Sequence, residues 1–131
     1  MSNAKLDTLV NQMENYLECL KKFNHFIAVA RSKKFTEEDE NQFLEVKSVI
    51  VQELETILAA FEGCSRDDVH GLISGAPSLR YLSESNEGVL RGVENQWHKV
   101  YVTFQAMLGQ LKVKQREHES KGFFSSIFKK K

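Results

Sequence analysis

Proline is almost missing from this sequence, with Pro77 alone among 131 residues. Long helices can therefore run on either side of position 77 without the ring clash and lost N–H that break them. Cysteine is scarce too: Cys19 and Cys64 are too few for a disulfide scaffold. If the first two helices run antiparallel, about 12 residues of rise, roughly 18 Å, separate the two thiols, which no disulfide spans. A reducing, cytoplasmic setting is expected. No apolar run approaches the about 18 residues of a membrane span, and Met1 to Ala4 lacks the basic n-region and apolar core of a signal peptide. Net charge is missing as well, since 18 basic and 18 acidic residues cancel. Without a global field or a basic face bearing stacking or groove-reading side chains, nucleic acid is not an expected partner. No P-loop, dinucleotide fingerprint or zinc ribbon is found.

What is present reads as helix. Hydrophobic residues make up 41% and charged residues 27%, an ordinary globular balance, and one domain of this length can bury a core without metals or disulfides. From Leu79 to Gln115, the residues Leu79, Leu82, Val89, Val93, Trp97, Val100, Phe104, Met107 or Leu108, and Leu111 recur at spacings of three and four. That spacing predicts a long amphipathic helix. A first helix is expected from about Lys5 to Ser32, with Leu6, Leu9, Met13, Tyr16, Leu17, Leu20, Phe23, Ile27 and Ala30 along its apolar stripe. Thr36 reads as the N-cap of a second helix, with Asp39 three residues on and Glu37 to Glu40 supplying negative charge to its first turn. This helix continues through Phe43, Leu44, Val46, Ile50, Leu54, Ile57, Leu58 and Phe61 to a stop at Gly63. Gly63, Gly71, Gly75 and Pro77 punctuate a connector holding one short helix, about 66–74, capped by Ser65. An unbroken helix from Leu79 to Glu119 would be about 60 Å long and overshoot its neighbours, so a break is expected near Ser85 to Gly88. No internal repeat is seen.

Candidate chemistry is sparse. Successive acids on one helix point in different directions, so Glu37 to Glu40 do not converge on a cation. None of His25, His70, His98 and His118 forms the Glu-x-x-His pair of a di-iron bundle. Asp67, His70 and Cys64 would be a fragment of a zinc site lacking a fourth ligand, and helix capping explains the acids more simply. Histidine phosphotransfer domains follow their reactive histidine with x-Leu-Lys-Gly. Here Gly71, Leu72, Ile73 and Ser74 follow His70, and that class is set aside. Cys64, Ser65 and His70 form the one local cluster suited to nucleophilic catalysis, with no acid or base partner fixed by the sequence. No enzyme activity, metal or cofactor is expected.

Charge becomes uneven only at the end of the chain. From position 112 onward seven basic residues (Lys112, Lys114, Arg116, Lys121, Lys129, Lys130, Lys131) face two acids (Glu117, Glu119), a net of +5 against −5 for the rest. Gly122 is expected to end the last helix, and Phe123, Phe124, Ile127 and Phe128 then precede Lys129, Lys130 and Lys131. Drawn as a helix, those four apolar residues share an arc of about 140° with Ser125 and Ser126 outside it. Exposed aromatics at a chain end call for a covering surface. The candidates are the bundle's own groove, a protein partner's hydrophobic groove, or an anionic membrane surface. The expected protein is an all-α, up-down-up bundle of three long helices (1–121) with a flexible aromatic-basic tail (122–131). Its expected function is that of a non-enzymatic interaction or adaptor protein, cytoplasmic or peripheral to a membrane, using Phe123, Phe124, Ile127, Phe128, Lys129, Lys130 and Lys131. A homo-oligomer is left open. The alternative is a small-ligand- or metal-binding bundle that uses the 64–78 connector.

Overall fold

A computed structural model describes the backbone of residues 3–61 and 66–129 and the side chains of 3–61 and 66–121. Its helices, in chain order, are α1 (Asn3–Ser32), α2 (Glu37–Ala60), α3 (Arg66–Ser74), α4 (Leu79–Glu84) and α5 (Glu87–Lys129). There is no strand among the described residues, and the fold is all-α. Gly63, Cys64 and Ser65, expected as helix stop, candidate nucleophile and cap, lie outside the described residues.

The helices form where burial and capping agree. Every residue expected on the α1 stripe is buried, and Val10 and Phe26 join them. The chain then reverses at Lys33, which adopts a left-handed φ of 62° and donates its N–H to Ala30 O at 3.0 Å. Thr36 Oγ1 accepts from the Asp39 N–H at 3.0 Å, and Asp39 Oδ2 accepts from the Thr36 N–H at 2.9 Å. This reciprocal pair is the expected capping box, with Asp in the place usually held by Glu.

α1 is the central element, and hydrogen bonds tie both other long helices to it. The buried Tyr16 hydroxyl donates to Ile50 O of α2 at 3.0 Å. The Trp97 indole of α5 donates to Leu20 O at 2.6 Å. Arg31, near the end of α1, grips Glu87 at 2.9 Å and also pairs with Glu94, both at the start of α5. Gln115, far along α5, donates to Asp7 near the start of α1 at 2.7 Å. α5 therefore runs antiparallel to α1.

That direction corrects the expected up-down-up order, in which the third long helix would run parallel to the first. The connector is itself the missing upward leg. Arg66 pairs with Glu55 at 2.9 and 2.8 Å, Lys47 Nζ donates to Pro77 O at 2.9 Å, and Glu40 accepts from the Leu79 and Arg80 N–H groups at 2.8 and 3.3 Å. Residues 66 to 80 thus climb α2 from its end to its start. Length explains it: the nine-residue α3 rises about 13 Å, and the four residues after it add up to about 13 Å when extended. Together they are enough for the roughly 22 Å that separates Glu55 from Glu40 on α2.

Glu40 thus caps the start of α4 from a different helix, a use beyond charge on its own first turn. Glu40→Ala is expected to lower stability by about 1–2 kcal/mol, the worth of a lost N-terminal cap. Glu38→Ala, removing an exposed acid from the same run, should leave the urea midpoint nearly in place. Equal shifts for the two would reduce Glu40 to simple helix-start charge.

The expected break occurs at Ser85 and Asn86, where Asn86 Oδ1 accepts from the Val89 N–H at 2.9 Å and restarts the chain as α5. The overshoot survives the break at the other end. α5 has 43 residues, about 64 Å, against about 45 Å for the 30-residue α1. Nor does Gly122 stop it, since the α5 backbone stays helical to Lys129. A mid-helix glycine costs only about 1 kcal/mol relative to alanine, and a glycine stop works through a left-handed C-terminal geometry besides.

Candidate functional site

The core covers α5 only as far as Leu111, its last buried described residue, and beyond it the bond from Gln115 to Asp7 still ties α5 to α1. With those two residues level, position 119 stands beside Asn3. The last ten positions of α5 therefore extend about 15 Å past the first described turn of α1. Lys112, Lys114 and Arg116 are exposed on the turns leading to this stretch, as are Glu117 and Glu119, and Lys121 is exposed on the stretch itself. At 100° per residue Lys112 and Arg116 fall on one side of the axis and Lys114 and Lys121 on the opposite side, so they do not form a single charged face. Phe123, Phe124, Ile127, Phe128 and Lys129 fall on helical backbone, with side chains outside the described residues, as are Lys130 and Lys131 altogether.

The other sequence candidates do not converge. His25 and His98 are exposed and His70 and His118 half-buried. Among the described residues no group of three His, Cys, Asp or Glu side chains is placed to hold a metal. On the connector, Asp68 Oδ1 lies 3.5 Å from Lys99 Nζ, and its carbonyl accepts from Gln96 Nε2 at 3.0 Å. Those bonds fasten α3 to α5. The Arg66 guanidinium holds the Glu55 carboxyl below its usual range, as an ion pair does.

A shallow groove of about 520 Å³ between α1 and α2 is lined by Cys19, Lys22, His25, Phe26 and Val46 among others. Sequence reasoning treated Cys19 only as a disulfide partner. Burial pushes its thiol up, which suppresses the thiolate that nucleophilic chemistry requires. Burial likewise lowers the Lys47 ammonium, opposed by the nearby Glu40.

Packing explains two misplaced core residues. Val89 is half-buried while Leu90 is buried, because Val89 borders an open groove beside Gly71, Gly75 and Tyr81 at the start of α5. Leu44 is 43% exposed, on a part of α2 that no other described helix covers. Comparison with protein families, with curated proteins and with solved structures finds no match to this chain.

Proposed function

We propose that the protein is a non-enzymatic interaction protein, a helical bundle that offers the far end of α5 to an anionic membrane surface and acts there as a peripheral adaptor. The observation carrying this reading is the continuity of α5 through Gly122 to Lys129. A helix that continues unbroken past the bundle's end does not fold that end back into the bundle's own groove. In helical register, positions 123, 124, 127 and 128 centre about 180° away from Val100, Phe104 and Leu111, the residues that face the core. By the same register Lys112 and Arg116 stand toward one flank of that face and Lys114 and Lys121 toward the other.

The energetics need both ingredients. A few apolar side chains alone bind a bilayer marginally, because association and ordering consume most of the gain. Each basic residue near an anionic surface adds about 1 kcal/mol, and Lys121, Lys129, Lys130 and Lys131 flank the apolar positions. Full-length protein is expected to co-sediment with phosphatidylserine-containing vesicles and not with phosphatidylcholine vesicles. Binding should weaken as salt screens the attraction. Deleting Gly122 to Lys131 should abolish it with helicity and thermal midpoint of the bundle retained. Salt-independent binding, or none to anionic vesicles, would overturn the reading and leave a protein partner's groove as the surface to seek.

A further inference from the structure

The outward side of α5 carries a second unpartnered feature, and this one lies wholly within the described residues. Val102 and Val113 are 46% and 47% exposed, among the few large hydrophobics left in water. Between them Ala106 and Gly109 are also exposed, and a Cβ at Gly109 would meet nothing within 4 Å. A glycine inside an exposed helix weakens it by about 1 kcal/mol relative to alanine. Among the described residues no group requires that absence of a side chain; the close approach of another helix would.

We infer that α5 pairs antiparallel with the α5 of a second copy of this chain along Val102, Ala106, Gly109 and Val113. At 100° per residue these four fall within an arc of about 60°, on the side opposite the core. Their spacing of four, three and four reads the same in both directions, as a two-fold interface demands. An axis between positions 106 and 109 sets Val102 of one copy against Val113 of the other and Ala106 against Gly109. The small central pair lets the backbones approach closely.

Two features outside the seam favour a second copy over another partner. The axis falls at the midpoint of α5, which spans Glu87–Lys129, so each copy's projecting end lies along the first turns of the other's α5. Alone, a projection of about ten residues is marginal as a helix in water; paired, it has a neighbour along its length. The same register brings Lys99 of one copy beside Glu117 of the other on one flank of the seam, twice per dimer by symmetry. This inference does not rest on the membrane reading. The two meet because both occupy the end of α5, so a bilayer and a second copy would compete for it.

The test is the mass of the full chain by light scattering and sedimentation over a wide dilution series. Wild-type protein should approach twice 15.1 kDa as concentration rises. Ala106→Arg, at an exposed position, should keep its helicity and raise the dissociation constant at least about a hundredfold, since pairing would bury two unmatched guanidinium groups. Lys99→Glu should weaken the dimer, and Lys99→Glu combined with Glu117→Lys should restore it. A monomer at every concentration overturns the inference, as does a dimer indifferent to Ala106→Arg. Failure of the double charge exchange to restore pairing overturns the antiparallel register.

Discussion

Phe104→Ala is expected to destabilise the fold by about 3–5 kcal/mol, the range for emptying a large aromatic site in a core. Phe104 is 1% exposed, and its ring centroid lies 4.8 Å from that of Tyr16. Tyr16 is bound through its hydroxyl to Ile50 O, so it cannot swing into the space without giving up that bond. The cavity would therefore stay open where α1, α2 and α5 meet. Urea denaturation of the variant beside Val102→Ala makes the comparison. The exposed valine should shift stability by less than about 0.5 kcal/mol, and similar losses for both would mean that the buried face of α5 has been misassigned. Trp97, placed on the same stripe by its spacing, is only half-buried and stacks on Tyr101. Its replacement should cost less than that of Phe104.

Phe43→Ala is the other change of similar size, again about 3–5 kcal/mol. Phe43 is fully buried, with ring centroids 5.4 Å from Phe23 and 5.7 Å from Phe26. The Lys47 ammonium stands 5.7 Å over its ring. Burial lowers the Lys47 pKa in the folded protein, so the unfolded chain holds that proton more tightly. The penalty is in full force below the folded value and is relieved as pH rises from there to the unfolded value, so stability climbs across that window. Removing the Phe43 ring admits water around Lys47 and should flatten the climb as well as lower the whole curve. A variant with the parent's alkaline stability slope would show that Lys47 is desolvated by something other than this ring.

Much of this fold is legible in the residues because local and global signals agree there. The α1 stripe, the Thr36 cap, the 66–74 helix and the break before Asn86 each follow from spacing or capping chemistry. The stripe of α1 proved wider than one face, with Val10 and Phe26 also buried, because α2, α4 and α5 all pack on it. Direction is where the reading failed. Gly75 and Pro77 suggest a linker, and nothing within 64–78 discloses that Glu40 and Lys47, some 30 to 40 residues earlier, fasten it along α2. A tertiary cap has no local signature. At the chain end, the aromatic-basic composition was evident, but Gly122 was given the weight of a stop that a lone glycine does not carry.

The bond from Trp97 to Leu20 also bears on the order of folding. The hairpin of α1 and α2 closes across the few residues after Ser32, whereas α5 meets α1 only after far longer loops are closed, 56 residues from Arg31 to Glu87 and 77 from Leu20 to Trp97. Loop closure entropy grows with the logarithm of that length, so docking of α5 is the slow, non-local step. The chain's one tryptophan sits in that late contact. Its fluorescence records the arrival of α5, while circular dichroism records helix wherever it forms, and the interval between the two signals times the closing of the bundle.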